Sequence, residues 1–402
     1  MNRYAVWFVA TLFFAFQFIL RLFPGLVMDQ TMVSYGLDAQ EFGHYASLYY
    51  LGYAAMQIPA AYLLYRFLPS RVLFVAAFMC AISAWIGAYT QIWQWLYFSR
   101  FLLGVGSAFA FLGVFEVITQ FFEQDQYAKM VGITFTIGLL GAVYGLMPIA
   151  HLLKTYDWHA VLAVLGGAQA IIAILIACLV RSPSHPEASF MGFISGLRHI
   201  LCHPALMALA AANLLMVGAL EGFADIWGVT YLMKAMGVTK PIAAAFTSLI
   251  FVGMIFGGPF LAACSRILKS ELIVVMIAAV LLSMIFLVLL SQWVALTSAR
   301  VQILMFVCGV LCCYQVLVFS LGVRFVNRPE LMGLTTAFIN CINMCGGVIY
   351  HNIIGQLLSI RGVVGEYSLA DFTYALWSIP IGAALGACIL VMISISVHKE
   401  RD

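Results

Sequence analysis

Ionisable residues lie inside the long apolar stretches of this chain, and the charged ones that read as placed to do chemistry there are Arg21, Arg100, Glu116, Glu221, Asp225 and Arg300. An ionisable group within a bilayer costs about 2.5–3.5 kcal/mol on insertion scales and persists where it meets water, a partner or a ligand. Arg21 carries a planar fork suited to two-point binding of a carboxylate, and Gln17 lies one turn away on the same helical face. The other readings of Arg21 are snorkelling to the headgroups or a structural ion pair. Arg100 reads either as ordering its own helix against its neighbours or as touching a substrate, and Arg300 is a further substrate candidate. Glu221 and Asp225 stand at i, i+4 on one helical face. Burial favours the protonated form of a carboxyl, so both are candidates for a coupling proton, with Glu221 the deeper; Glu116 is a third.

Polar groups without charge add to this set. Tyr45, Tyr49, Tyr53 and Gln57 form an i, i+4 stripe, which is either a packing face or a binding face, and Tyr53 and Gln57 are its substrate candidates. Asn340, Asn343 and His351 share a broad face of one apolar segment. The asparagines are further substrate candidates. His351 belongs to the residue type whose unperturbed side chain changes charge near neutrality, and it reads either as a proton carrier or as a hydrogen-bonded structural histidine. Cys308/Cys312 and Cys341/Cys345 have ligand-like spacing, but in apolar helices such cysteines read as small packing residues. No disulfide, metal or cofactor is expected. Neither a nucleophile–base pair nor a phosphate-binding loop is visible, so the chain is not read as an enzyme or as ATP-driven.

The elements that must position these groups follow from composition. Of 402 residues, 64% are hydrophobic and 9% are charged, and mean hydropathy is +1.05. Soluble domains carry about 25% charged residues, so lipid must be the solvent for most of this surface. No basic run or zinc-ligand spacing suggests nucleic acid. Crossing the hydrocarbon core takes about 20 apolar residues. Apolar runs between polar breaks predict twelve spans: 4–34, 42–65, 71–90, 93–119, 130–153, 158–180, 204–232, 241–264, 271–291, 297–322, 332–358 and 372–396. Met1-Asn2-Arg3 leads straight into the first, with no small-residue cleavage site, so it reads as a retained helix. Residues 181–203, the longest polar stretch, open with Ser-Pro-Ser-His-Pro and divide the spans six and six. The expected organisation is a bundle at 1–180, a cytoplasmic central loop at 181–203 and a second bundle at 204–402.

Lys and Arg set the orientation. With both ends inside, twelve of the nineteen fall in inner segments, including Arg181, Arg198 and Arg401, four in outer ones, and three within spans. Trp93, Trp95, Trp158, Trp227 and Trp293 gather at predicted outer ends, where an aromatic belt is expected. Gly141-x-x-x-Gly145 and Gly253-x-x-x-Gly257 read as close helix contacts, and Pro59, Pro148 and Pro259 as kinks.

The two halves repeat. A shift of 200 residues brings Pro59 onto Pro259, Arg66 onto Arg266, Trp93 onto Trp293, Arg100 onto Arg300 and Arg21 onto Glu221. Parallel repeats of this kind place a substrate site near the midplane, so Arg21 and Glu221 are expected to face each other across a cavity.

At these residues the chain resembles the major facilitator superfamily, over its whole length. Leu96-x-x-x-Arg100-x-x-x-Gly104-x-Gly106 looks like the family's fourth-helix motif. The loop Ala61-Tyr-Leu-Leu-Tyr65-Arg66-Phe-Leu-Pro69-Ser-Arg71 resembles the family's loop signature in part, with Tyr65 where the family has aspartate and Leu68 where it has glycine. The second half has Ser265-Arg266 at that place. The fifth span, from Gly138 to Pro148, lacks the Gly-Pro-x-x-Gly-Gly core of the family's drug antiporters. Arg21-x-x-Pro24, with Gly52-Tyr53-x-x-x-Gln57-Ile-Pro59, is similar to its organic-anion and amino-acid symporters.

The resemblance implies an all-α membrane protein: two six-helix bundles related by a pseudo-two-fold axis, with spans 1, 4, 7 and 10 lining a cavity. It also implies a gate at Arg66, Arg71 and Arg266, alternating access, and monomeric action in a bacterial inner membrane. The expected activity is proton-coupled uptake of a small carboxylate-bearing solute: an organic acid, an amino acid or peptide, or a carboxylate siderophore. A proton-driven exporter and a nontransporting receptor of the same fold are the rival readings.

Overall fold

Helices form wherever an apolar run escapes proline and glycine punctuation, and local caps and breakers set their ends. The computed structural model describes residues 2–180, 190–291, 295–363 and 366–399. Arg181, the linker at 182–186, Trp293 and Arg401 lie outside them, as does the side chain of Tyr65.

The chain packs as two compact units, Met1–Leu37 with His44–Ala188, and Asp38–Gly43 with Ser189–Asp402. The first unit holds α1 (Arg3–Leu26), α2 (Met28–Tyr35), most of α3 (Ala39–Arg66), α4 (Pro69–Tyr89), α5 (Trp93–Phe121), α6 (Gln124–Leu152) and α7 (Trp158–Leu179). Asn2 caps α1 through the Tyr4 N–H at 3.1 Å. Asp157 caps α7 by accepting from the His159 N–H at 2.9 Å. Burial raises the Asp157 carboxyl's pKa, but the hydrogen bonds and charge of His159 outweigh it and hold it below the usual carboxylate range. Within this unit α1 packs on α5, α6 and α7, and α4 packs on α5 and α7. Gly141 and Gly145 bring α6 against the α1 backbone at Ala15 and Ile19, where a side chain would not fit.

The second unit opens with α8 (Phe190–Leu201), a helix inside the stretch expected to be loop. There follow α9 (Pro204–Met216), a π-helical segment (Gly218–Trp227), α10 (Gly228–Met236), α11 (Lys240–Ile267) and α12 (Glu271–Ser291). The chain ends with α13 (Ser298–Cys312), α14 (Tyr314–Val326), α15 (Met332–Arg361), α16 (Leu369–Leu376) and α17 (Ser378–Lys399). Its internal pairings echo those of the first unit: α11 packs on α13, α9 and the π segment on α15, and α12 on α17.

These helices account for all twelve expected spans. Eleven are long and apolar enough to cross a membrane by length and composition among the described residues. The twelfth, α3, has the length, at 28 residues, but carries Gln40, Glu41, His44, the tyrosine stripe and Gln57. The all-α, two-bundle, twelve-helix layout is therefore the fold of the protein. Two of the helix breaks follow from a proline that withdraws a donor. Leu376 lacks its i+4 donor because Pro380 has no N–H, and the helix breaks at Trp377 between α16 and α17. Pro24 likewise precedes the break at Val27. Pro59, Pro148 and Pro259 do not interrupt α3, α6 or α11.

Two tryptophans correct the expected belt. Trp93 and Trp95 are exposed, whereas Trp158 and Trp227 are buried. Trp158 stacks on His159 with centroids 3.7 Å apart, and Trp227 packs edge-on to Phe42 and Phe372. A buried indole N–H needs an acceptor, and His351 supplies it for Trp227.

Candidate substrate and coupling sites

In the first unit the site begins with a proline. In an α-helix the N–H of residue i+4 bonds the carbonyl of residue i; Pro24 has none, so the Leu20 carbonyl loses its helical donor. Arg100 of α5 replaces it. Its Nη1 donates to Leu20 O at 3.1 Å and its Nη2 to Arg21 O at 2.7 Å. The Arg100 side chain is 3% exposed and lies over the Tyr45 and Tyr49 rings, 5.9 and 4.8 Å from their centroids. This geometry makes Arg100 a clamp on the α1 backbone beside Arg21.

Arg21 is itself buried, at 6% exposure. Its guanidinium carbon lies 5.1 Å from the Tyr50 ring centroid, 5.5 Å from Phe18 and 5.9 Å from Tyr49. Cation–π contact of this kind holds a guanidinium out of water against aromatic faces. Tyr49 also donates its hydroxyl to Gln17 Oε1 at 2.7 Å, which ties α3 to α1. The approach of α3 to α5 depends on Gly104, where a Cβ would strike the Tyr49 carbonyl.

Further along the stripe, Tyr49 and Tyr53 are in ring contact. Gln57 is fully buried, and neither amide atom has a hydrogen-bond partner among the described residues. An unsatisfied buried amide costs about 1–3 kcal/mol, so this one calls for water or a bound solute. Glu116 stands apart: it lies 16 residues beyond Arg100 on α5, about 24 Å at 1.5 Å per residue, and accepts from Gln120 Nε2 at 2.8 Å. Arg66 and Arg71 are exposed at the ends of α3 and α4.

In the second unit, Glu221 and Asp225 are 2% and 1% exposed, and both sit on the π-helical segment. Such wide turns are rare and recur at functional sites. Here the segment packs on α15, α13 and α17. Tyr350 of α15 lies against Gly218 and Gly222 and donates its hydroxyl to Leu215 O, near the end of α9. His351 is fully buried and accepts the Trp227 Nε1–H on Nδ1 at 3.2 Å. Asn343 is buried and its Oδ1 accepts from Asn213 Nδ2, while Asn340 is half-buried. Arg300 is exposed at the start of α13 and donates to Ala295 O at 2.9 Å; it does not join the buried polar groups. Arg266 is exposed at the end of α11.

Sequence reasoning missed three features: the Phe18–Tyr50 half of the Arg21 cage, the link between Pro24 and Arg100, and the π segment. The first had no signal, because Tyr50 falls off the i, i+4 stripe. The second was signalled by a proline three residues after a buried arginine, and the third by Gly218, Gly222 and Gly228 around two carboxylates.

A family model described as Major Facilitator Superfamily matches residues 6–350. The chain is 28% identical over 200 residues to an uncharacterized MFS-type transporter of Bacillus subtilis, YceJ, covering 47% of this chain and 48% of that one. It is 26% identical over 133 residues to a chloroplastic protein of Arabidopsis thaliana named "Probable anion transporter 6", covering 33% and 26% of the two chains. The chain thus spans about half the length of the first of these curated relatives and about a quarter of the second. Among solved structures, a mutant of the nucleoside transporter NupG superposes with a TM-score of 0.78 at 13% identity, covering 96% of this chain and 99% of that one.

Proposed function

The chain belongs to the major facilitator superfamily and is a multi-pass membrane transporter, and from that premise we propose that it carries out proton-coupled uptake of a small solute bearing at least one carboxylate. The observation that carries this reading is Arg21, a buried guanidinium held among three aromatic rings. A fixed planar fork in a low-dielectric site is complementary to a carboxylate. Gln17, Tyr53 and Gln57 are the neutral polar groups of the same unit proposed to contact the rest of the solute, and Arg100 serves as the clamp that positions Arg21. Organic acids, amino acids or peptides, and carboxylate siderophores share the required chemistry. The name of the chloroplastic relative, an anion transporter, accords with an anionic cargo.

Glu221 and Asp225 are the proposed proton carriers. Both are buried on the π-helical segment, and a carboxyl is a group that can take up and release a proton within a membrane span. Transport proceeds by alternating access. The proposed setting is a bacterial inner membrane with both termini cytoplasmic, an orientation that accords with the Lys and Arg asymmetry.

The test is solute counterflow in proteoliposomes with a panel of carboxylates, with and without an inward proton gradient. Arg21→Lys keeps the charge but loses the fork, and should weaken solute affinity about tenfold or more, the worth of one charge-assisted hydrogen bond. Wild-type affinity in that variant would make Arg21 structural. Glu221→Gln should abolish gradient-driven accumulation and spare exchange. Normal pH-dependent accumulation there would move the role to Asp225, Glu116 or His351.

A further inference from the structure

In the first unit, α3, α4 and α5 enclose a groove of about 530 Å³ beside Arg66 and Arg71, the arginines expected at the gate, and away from the buried polar groups around Arg21. Its walls are apolar, with Met56, Leu63, Val75 and Phe109 among them, and Arg66 and Arg71 stand at one end. Phe67 and Val75 are each 55% exposed, so in a membrane this face meets lipid.

Charge distinguishes the groove from its counterpart in the other repeat. The loop Arg66-Phe-Leu68-Pro-Ser70-Arg71 corresponds at 200 residues to Arg266-Ile-Leu268-Lys-Ser270-Glu271. In the second unit the position equivalent to Arg71 is Glu271, which pairs with Arg324 at 2.6 Å and accepts from Ser320 at 3.1 Å, with Arg266 and Lys269 beside it. In the first unit the same position holds a second arginine, and neither Arg66 nor Arg71 has an ion-pair partner among the described residues. Two guanidiniums therefore stand uncompensated above an apolar slot. From Arg66 back to Met56 is ten residues, about 15 Å of helix, or half of the roughly 30 Å hydrocarbon core. That is the depth to which one leaflet's acyl chain reaches.

We propose that this groove binds an anionic phospholipid, with its phosphate held by Arg66 and Arg71 and one acyl chain lying along α3 and α4. The lipid supplies the negative charge that Glu271 supplies in the other repeat. It is a site distinct from the transported solute's, and it does not depend on what that solute is.

Native mass spectrometry of the full-length protein, loaded with phosphatidylglycerol or phosphatidylcholine of matched chains, tests this. The wild type should retain phosphatidylglycerol in preference to phosphatidylcholine. Arg66→Ala or Arg71→Ala should each lower that affinity about fivefold, and together about 25-fold, with Arg66→Lys/Arg71→Lys retaining most of it. Val75→Trp fills the slot with both arginines intact and should also release the lipid, which a loose surface-charge effect would not do. Arg266→Ala should leave retention unchanged. Equal retention of the two lipids by the wild type, or undiminished preference in the double alanine variant, would overturn the proposal. So would an equal loss in Arg266→Ala, or displacement of the lipid by soluble glycerol 3-phosphate, which would mark a site for free phosphate.

Discussion

Arg100 and Pro24 form one unit at the scale of single residues. A helical proline leaves the carbonyl four residues before it without a donor, and an unpaired carbonyl in a bilayer is costly. Arg100 supplies the missing donor and spends two of its five N–H groups on the α1 backbone. Arg100→Leu should therefore destabilise the purified protein by about 1.5–3 kcal/mol, the worth of a charged hydrogen bond. Pro24→Ala restores the N–H that Leu20 lacks, so in that background Arg100→Leu should cost less, by at least about 0.5 kcal/mol. Unfolding in mixed micelles measures both, and strict additivity would show that Arg100 does not stand in for the proline. The chemical identity of this pair was legible in the sequence. Which of its two readings Arg100 follows was not, because the deciding groups are carbonyls 79 and 80 positions away.

At the scale of elements, two departures from regular α-helix shape the sites. The π-helical turn at Gly218–Trp227 buries Glu221 and Asp225 against α15. Its glycines are the places where Tyr350 and Phe223 press on the backbone. Periodicity alone does not reveal it, since i, i+4 residues share a face in either helix type. The second departure is the close passage of α5 under α3. Gly104 permits it, because a Cβ there would meet the Tyr49 carbonyl. Gly104→Val should force the helices apart, cost about 1–3 kcal/mol as overpacking does, and draw the Tyr49 ring away from both guanidiniums. The expected readout is a lower unfolding temperature together with lost solute binding. Normal binding in a destabilised protein would dissociate the aromatic cage from recognition.

At the scale of the whole molecule, topology is the property most open to direct test. The twelve-to-four excess of Lys and Arg in inner segments predicts that a cysteine placed at Ser184, in a cysteine-free background, is shielded from impermeant thiol reagents outside intact cells. Labelling from outside would invert the whole topology. Fold class, span number and the six-plus-six division were determined by the sequence alone. They follow from the absence of water in the bilayer core, which makes every crossing a helix and writes it as a run of about 20 apolar residues. The burial of Arg21, Arg100, Glu221 and Asp225 was legible too, because an ionisable group within an apolar run is costly outside a wet or paired site; the exposure of Arg300 was not. Tertiary structure decided the surroundings: Arg100 on the α1 carbonyls, Trp227 on His351 instead of in the aromatic belt, Arg300 at an exposed helix end, and Arg66 and Arg71 beside an apolar groove. Those outcomes depend on which helix faces meet and how closely, and that is set by glycines, proline breaks and a widened turn acting together across residues far apart in the chain.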